Sequence, residues 1–365
     1  MIGGHREMNE PLITHTDLSC LDGALSRGHV RLRCDGVPRR KVAVMELSSG
    51  AVKFLVPRLS LFDKSRRFDF SHYTRLSVNT PLSSGIMDNG EMDTDYYSRN
   101  VLPHIWHFRQ DAARHGVTDI FTIATATYRQ IANREGILDM ISRDCGLSVS
   151  VLTPSEEACG VANAVAMSMT HCMMPTTLII DHGKRSTEIS ILTPDGHLAV
   201  LGFDFGLTHL LSDCRNYLAS GHKTLDCIRR LPDYIKKLDA HLKSVMYDGV
   251  TQLTSELMSQ GAEFRLTGIG SPLTMSTGIK GARNYHGLTL SLSDLERYRL
   301  GLINAMNRAM SDTDKEINNT EELMQQYVGL APYIMLMSQL NLTHITVCGA
   351  SLWYGALHRA MLLGH

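Results

Sequence analysis

The chain has 365 residues, of which 43% are hydrophobic and 20% charged, and its formal net charge at pH 7 is −1. This balance is typical of an ordinary globular protein long enough for two domains, and it gives no electrostatic reason to expect a nucleic-acid or membrane partner. No apolar run approaches the ~18 residues of a transmembrane helix, and the polar stretch 1–10 has no secretory apolar region. We therefore expect a cytoplasmic protein.

The cysteines and histidines show no ligand spacing. The eight cysteines form no C-x-x-C pair, and the seventeen histidines are scattered without an H-E-x-x-H pattern. The sequence therefore indicates neither a zinc knuckle nor a C-x-x-C redox motif. Because no export signal is evident, the cysteines are expected to be reduced and mostly structural.

The first part of the chain precedes any clear periodicity. Residues 1–40 are interpreted as an N-terminal extension, which could supply an edge strand or a packing arm. Two apolar runs at 41–46 and 52–56 then flank the small residues 48–50, and this pattern predicts a β-hairpin. The elements predicted next are a helix over 96–114, a strand over 119–124, helices from 128 and over 136–145, a strand over 147–152 and a helix whose first turn holds Ser155, Glu156 and Glu157.

The same order of elements restarts in the second half of the chain. Strands over 178–181, 186–192 and 197–203 repeat the hairpin-led opening. The elements predicted after them are helices within 208–259, a strand over 263–267, helix within 292–338, a strand over 344–348 and a terminal helix. Two hairpin-led α/β halves predict an internal duplication with a cleft between the halves.

The turn after Asp181 has the position of a phosphate-binding loop but not its usual composition. The apolar residues 178–180 lead into Asp181 at a strand end, and Gly183 is followed by Lys184 and Arg185. Glycines at such a turn let backbone N–H groups approach a phosphate closely. The two basic residues could instead supply cations to a phosphate, fill the space that a polymer would occupy, or form a solvated turn.

Several short motifs along the chain are each weak signals alone but specific when they occur together in order. They are AVMELSSGAVKFLV (43–56), ATATYRQIAN (124–133), SEEA (155–158), IIDHGKRSTEISI (179–191), LTGIGSPL (266–273) and GASLWYGAL (349–357). In this order they resemble the motifs of the exopolyphosphatase/guanosine pentaphosphate phosphohydrolase (Ppx/GppA) family, within the actin-like ATPase superfamily. The resemblance runs from about residue 41 to the C terminus.

This resemblance implies an α/β fold of two ribonuclease-H-like (actin-like ATPase) lobes with an interlobe cleft. The extension would cover residues 1–40, lobe I residues 41–158 and lobe II residues 159–365. The boundary is approximate because the C-terminal helix could pack back on lobe I. Family members are commonly dimers, so a homodimer is a further expectation.

The resemblance also implies a phosphohydrolase that cleaves a phosphoanhydride or phosphate ester of a nucleotide- or polyphosphate-type substrate by metal-assisted attack of water. A small nucleotide or metabolite is expected in preference to long polyphosphate. Glu157 matches the family's general base, Arg129 an arginine that contacts phosphate, and Asp181 a catalytic acidic residue near the metal. Hydrolysis needs a carboxylate to orient water, cations to neutralise developing charge, and amide donors around the phosphoryl oxygens.

The remaining site residues implied by the resemblance fall into two sets. The metal, Mg²⁺ or Mn²⁺, would be held near Glu46, Asp181 and Glu188. The residues expected to bind phosphate or substrate are Ser48, Ser49, Gly50, Lys53, Thr125, Gly183, Lys184, Arg185, Ser186, Thr187, Gly206, Gly268, Gly270 and Ser271.

Several positions depart from the family pattern. Glu46 stands where the family has Asp, and Trp353 and Tyr354 stand where it has Arg and Glu. Lys184 and Arg185 replace two glycines, which costs on the order of 1 kcal/mol each if those positions require a positive φ, unless the loop takes another shape. The alternative to a hydrolase is therefore a catalytically degenerate protein that binds a nucleotide polyphosphate and regulates a partner.

The site residues also have purely structural interpretations. Glu157 could be a first-turn acid that stabilises the helix dipole, and Asp181 could cap the loop that follows its strand. Arg129 could pair with Glu156 on the surface, and Glu188 could lie on the solvent face of its strand. The burial and the contacts of these side chains would distinguish the structural interpretations from the functional ones.

Overall fold

The computed structural model describes residues 13–31, 41–58, 69–169, 175–219, 224–259, 264–281, 285–309 and 317–363. The strands in these ranges are β1 (Ile13–Asp17), β2 (His29–Arg31), β3 (Val42–Leu47), β4 (Ala51–Pro57), β5 (Tyr73–Asn79), β6 (Asp119–Ala124), β7 (Ser150–Val151), β8 (Thr177–His182), β9 (Thr187–Leu192), β10 (His197–Phe203), β11 (Arg265–Ile269), β12 (Thr289–Ser291) and β13 (His344–Val347). The α-helices are α1 (Leu21–Arg27), α2 (Thr94–Asn100), α3 (Leu102–Arg114), α4 (Ala126–Gln130), α5 (Arg134–Cys145), α6 (Pro154–Ser168), α7 (Leu207–Ala219), α8 (Thr224–Ser259), α9 (Ser271–Ser276), α10 (Leu292–Ala309), α11 (Ile317–Gly329), α12 (Ala331–Gln339) and α13 (Leu352–Leu362).

The chain divides into two compact units, of which the first is called the N-terminal unit. It takes in the described residues from 16 to 169 and from 350 to 363. Its sheet has the strand order β2-β6-β3-β4-β5, and β7 also pairs with β6. β3, β4 and β5 are antiparallel neighbours, whereas β6 runs parallel to β3 and β7 runs parallel to β6. Its hydrophobic core includes the aromatic residues Phe54, Tyr97 and Tyr128.

The second, C-terminal unit takes in the described residues from 13 to 15 and from 175 to 349. Its sheet has the strand order β1-β10-β9-β8-β11-β13-β12. β8, β9 and β10 are antiparallel neighbours, and β11 and then β13 add in parallel to β8. This connectivity is the same as that of β3 to β7, so both units are built on one pattern, as an internal duplication requires.

Local sequence signals set the ends of the helices that frame the site. α6 begins at a capping box, in which the Thr153 hydroxyl accepts the Glu156 N–H and the Glu156 carboxylate accepts the Thr153 N–H. Pro154 fills the first position of the helix, where the N–H that a proline lacks would have no helical partner. α5 ends at Gly146, whose φ of 63° is left-handed and favours glycine.

The C-terminal helix α13 packs against α6 within the N-terminal unit. The two helices approach closely at two glycines, because a Cβ on Gly355 would overlap the carbonyl oxygen of Gly160. Arg359 of α13 also binds Asp22 of α1 through two hydrogen bonds, of 3.0 and 2.5 Å. The last helix of the chain is therefore part of the N-terminal unit.

The α/β class predicted from the sequence is confirmed, and two details differ. The helix expected over 96–114 is two helices, α2 and α3, with Pro103 in the first turn of α3. β5 was not predicted because its sequence alternates with exposed polar residues and has no continuous apolar run. All of α6 belongs to the N-terminal unit. Within the described ranges, no helix is both long and apolar enough to cross a membrane.

We expect Gly355→Ala to lower the free energy of unfolding by about 2 kcal/mol, because the added methyl group forces α13 away from α6. Gly301→Ala on α10 is the matched control, since a Cβ there meets nothing within 4 Å. The control should stabilise the protein by roughly 0.5 kcal/mol or more through helix propensity. Thermal unfolding of both variants measures the difference, and equal midpoints would contradict the close helix contact.

Candidate active site

Glu46 and Lys53 form a salt bridge across the β3–β4 hairpin. The two residues oppose each other in the strand register, and Lys53 Nζ lies 2.6 Å from Glu46 Oε1. The side chain of Glu46 is 5% exposed and that of Lys53 is 26% exposed. The second carboxylate oxygen, Glu46 Oε2, is buried and has no hydrogen-bond partner among the residues that the structure describes. One oxygen of Glu46 is therefore neutralised by an ammonium group, and the other can accept a ligand.

Arg129 and Glu157 form a second salt bridge in the same unit. Arg129 lies on α4, directly after β6, and its Nη1 donates to Glu157 Oε2 at 2.7 Å and to the Leu152 carbonyl at 2.8 Å. Glu157 lies in the first turn of α6, and its side chain is 12% exposed. The pairing of Arg129 with Glu156 suggested by the sequence is wrong, because Glu156 pairs with Arg27 at 2.8 Å.

The charges of the first salt bridge influence the pKa of Glu157 in the second. Burial raises the pKa of the Glu157 carboxyl, Arg129 opposes this rise through its charge and hydrogen bond, Glu46 adds to it and Lys53 opposes it. The net direction is upward because desolvation outweighs the cations. Glu46, Lys53, Arg129 and Glu157 are called the charge cluster below. A carboxyl group with a raised pKa is suited to proton transfer near neutral pH.

An aromatic ring borders the charge cluster. The ring of Trp353, on α13, has its centroid 5.7 Å from Lys53 Nζ, a distance at which an aromatic face attracts an ammonium group. The neighbouring Tyr354 is buried and contacts Phe70 and Tyr73 edge-on. The sequence did not predict this contact, because no local pattern relates Trp353 to the distant Lys53.

Hydrogen bonds to its backbone carbonyls hold the turn between β3 and β4 in place. Ser48 donates its N–H and its hydroxyl to the carbonyl of Ala51, at 3.0 and 2.9 Å. The carbonyls of Ser49 and Gly50 accept amides from the segment that follows β5, at 3.2 and 3.0 Å. Thr125, at the end of β6, donates its N–H to the end of β3 at 3.2 Å. These predicted phosphate-binding residues thus form a fixed turn beside the charge cluster.

In the C-terminal unit, Asp181 and Glu188 oppose each other across β8 and β9. Opposed residues of adjacent strands point to the same face of a sheet, so the two carboxylates are neighbours. Glu188 is 4% exposed, and its interpretation as a solvent-facing residue is therefore wrong. Burial raises the pKa of Tyr333 well above its ordinary value, and the nearby charge of Asp181 contributes to this rise.

Backbone hydrogen bonds hold the loop between β8 and β9 in place. Gly183 donates its N–H to the carbonyl of Ser186 at 3.0 Å. The carbonyls of Gly183 and Lys184 accept the N–H groups of Leu207 and Thr208, each at 2.9 Å. Leu207 and Thr208 open α7, and N–H groups at a helix start commonly bind anions. Here these two amides hold the loop in place.

Lys184 and Arg185 adopt ordinary backbone conformations. In the described ranges, Asn341 is the only residue other than glycine with a positive φ. The strain expected from replacing two glycines is therefore absent, because the loop has a shape that does not require a positive φ. The side chain of Lys184 is exposed, whereas Arg185 is partly buried, and this burial lowers its pKa.

Three other predicted phosphate-binding glycines are packed against protein atoms. A Cβ on Gly206 would lie 2.5 Å from backbone atoms of the loop between β8 and β9. Gly270 has a φ of 141°, and a Cβ there would overlap the Tyr333 hydroxyl and lie 2.8 Å from the His182 carbonyl oxygen. A Cβ on Gly268 would overlap side chains of α9 and β13. Close packing within the C-terminal unit thus explains glycine at all three positions.

The hydroxyl residues of this region differ in exposure. Thr187 is buried, donates its hydroxyl to the Phe205 carbonyl at 2.7 Å and lies 2.8 Å from His182 Nδ1. Burial lowers the pKa of His182 to about 3, so its ring is neutral at pH 7. Ser186 is buried as well, whereas Ser271, the first residue of α9, is exposed. Thr187 therefore has a structural role that the sequence did not indicate.

The described residues offer carboxylate ligands for a divalent metal but do not form a complete coordination sphere. No group there of three or more His, Cys, Asp or Glu side chains could hold a metal ion. Mg²⁺ in phosphate chemistry commonly uses one or two carboxylates together with substrate oxygens. The Asp181–Glu188 pair fits this mode within its unit, and Glu46 fits it through Oε2, although Lys53 occupies Oε1.

Comparisons with known proteins identify similar sequences and structures. Residues 62–361 match the sequence model of the Ppx/GppA phosphatase family. A Ppx/GppA family member from Aquifex aeolicus has a similar structure, with a TM-score of 0.69 and 15% identity over 89% of this chain and 99% of that chain. An exopolyphosphatase from Cytophaga hutchinsonii gives a TM-score of 0.64 and 17% identity over 89% of this chain and 98% of that chain. No curated protein matches the sequence.

We expect Lys53→Met to lower the free energy of unfolding at pH 7 by about 2 kcal/mol, because the buried Glu46 carboxylate then lacks its cation. The partial exposure of Lys53 keeps this loss below that of a fully buried pair. In a Glu46→Gln background the same substitution should cost less than about 1 kcal/mol, as measured by chemical denaturation. An equal loss in both backgrounds would show that Lys53 does not act through Glu46.

Proposed function

Because the chain belongs to the Ppx/GppA phosphatase family, we propose that it hydrolyses a phosphoanhydride or phosphate ester of a nucleotide- or polyphosphate-type substrate by attack of water. The observation that carries this proposal is the raised pKa of Glu157, which burial produces beside a hydrogen-bonded arginine. A carboxylate in this state can take a proton from water at neutral pH, and the arginine fixes its orientation.

The other members of the charge cluster have complementary roles in the proposed reaction. Arg129 and Lys53 are the cations that would draw in a phosphoryl group and stabilise the negative charge on its oxygens. Glu46 holds the Lys53 ammonium group at 2.6 Å and adds to the rise in the pKa of Glu157. The cluster would thus supply a base and two cations from one unit.

A divalent cation such as Mg²⁺ or Mn²⁺, held by Asp181 and Glu188 or by Glu46, would neutralise charge on the phosphate oxygens when bound. The side chains of Lys184 and Arg185 would contribute further positive charge in the C-terminal unit. Trp353 offers an aromatic surface beside Lys53. This surface supports a small nucleotide substrate in preference to long polyphosphate, because an aromatic ring can stack on a base but gains nothing from a bare phosphate chain.

One observation favours the alternative, a protein that binds a nucleotide polyphosphate and regulates a partner without turnover. The carbonyls of Gly183 and Lys184 accept the first amides of α7. The loop would therefore offer a phosphate the side chains of Lys184 and Arg185 instead of glycine N–H groups. Phosphate release across short and long polyphosphate, guanosine tetra- and pentaphosphate and nucleoside triphosphates distinguishes the two functions. A ligand that raises the thermal midpoint but yields no phosphate with Mg²⁺ or Mn²⁺ would favour the regulatory protein.

We expect Glu157→Gln to lower kcat for phosphate release by about 100-fold or more, because glutamine cannot accept the proton of water. Glu156→Gln is the matched control, since a glutamine at that position retains the capping box of α6. The control should retain kcat within about twofold in the same assay. Unchanged release by Glu157→Gln would exclude Glu157 as the general base.

The pH dependence of kcat/KM tests the role of Glu157 as general base through the direction in which its pKa shifts. A general base acts when deprotonated, so activity should fall as the pH drops through the raised pKa of Glu157. Glu46→Gln removes a charge that raises this pKa and should move the acidic limb to lower pH, whereas Lys53→Met should move it to higher pH. The pH at the midpoint of the acidic limb can be measured even if a variant has a lower maximal kcat/KM. Shifts in the same direction for both variants would contradict the electrostatic coupling.

A further inference from the structure

Two cysteines from distant parts of the sequence lie together in the N-terminal unit. Cys20 precedes α1, and its Sγ lies 3.7 Å from the carbonyl of Ser155, one helical turn before Cys159 on α6. The Sγ of Cys159 lies 3.4 Å from the carbonyl of Asp17 and 3.3 Å from that of Leu18. Each sulfur therefore lies against the backbone segment that carries the other.

The two thiols differ in their access to solvent. Cys159 is completely buried, whereas Cys20 is partly exposed. Cys145, Cys214 and Cys348 are also buried. A reagent in solution would therefore reach Cys20 before Cys159.

The two thiols have opposite shifts in pKa. The neighbouring Cys159 thiol lowers the pKa of Cys20, although burial and the charges of Glu156 and Asp17 act in the opposite direction. The neighbouring Cys20 thiol and burial raise the pKa of Cys159. The thiolate is the nucleophile in cysteine oxidation, so the more accessible member of the pair is also the more reactive one.

We propose that Cys20 and Cys159 are a site of reversible oxidation, at which a hydroperoxide converts the two thiols into a disulfide. The Cys20 thiolate attacks the distal peroxide oxygen and becomes a sulfenic acid, and the O–O bond breaks to release an alkoxide, which is hydroxide when the oxidant is hydrogen peroxide. The Cys159 sulfur then attacks the Cys20 sulfur, the S–S bond forms, and the sulfenic hydroxyl leaves with the Cys159 proton as water. The two sulfurs together lose two electrons, and the peroxide gains them.

The disulfide would join the start of α1 to α6, two residues beyond Glu157. The enclosed loop runs from 20 to 159, and closing a long loop removes much entropy from the unfolded chain. Oxidation should therefore stabilise the protein, whether or not it hydrolyses phosphate. A dithiol such as dithiothreitol would restore both cysteines by exchange.

The experiment treats the reduced full-length protein with hydrogen peroxide and follows its intact mass and thermal midpoint. We expect the wild type to lose two hydrogen atoms, to gain about 5 °C in midpoint, and to regain its original state in dithiothreitol. Cys20→Ser and Cys159→Ala should each abolish both changes, and Cys145→Ala, which removes a different buried thiol, should retain them. The proposal is overturned if wild type keeps its thiols, or if Cys20→Ser and Cys159→Ala still lose two hydrogen atoms and gain the same stability.

Discussion

The charge cluster of the N-terminal unit is the arrangement on which the proposed chemistry depends. A buried carboxylate without a cation costs several kcal/mol, so Glu46 and Glu157 are each tolerated because a basic residue contacts it. The strand register aligns one pair, and the capped start of α6 aligns the other. Desolvation of Glu157 still exceeds its compensation and raises the pKa of its carboxyl group, and the proposed role of Glu157 as general base rests on this imbalance.

The loop after β8 in the C-terminal unit is held by backbone contacts within that unit. The strands of this unit have the same connectivity as those of the N-terminal unit, but the loop after β8 engages the first turn of α7 through backbone hydrogen bonds. Lys184 and Arg185 fit this conformation without left-handed strain. Gly206 and Gly270 lie where protein atoms leave no room for a side chain. Packing within the unit therefore accounts for glycine at both positions.

Local signals predicted most of the strands and helices, whereas partners across the chain could not be predicted. The hairpin of β3 and β4 and the capped start of α6 follow from apolar runs and from Thr153, Pro154 and Glu156. The partner of Arg129 depends on how α4 meets α6, and the contact of Lys53 with Trp353 depends on where the last helix packs. Such pairings are set by tertiary packing, which no local pattern records.

The inclusion of α13 in the N-terminal unit also has a consequence for synthesis on the ribosome. Residues 170–349 separate the main body of that unit from its last helix, and translation at ~5–20 residues per second takes roughly 10–40 s to cross them. During this interval the surface of α6 around Gly160, which α13 finally covers, belongs to a nascent chain with an unfinished core. The N-terminal unit is therefore begun first and completed last, and a chaperone that shields α6 would act in that interval.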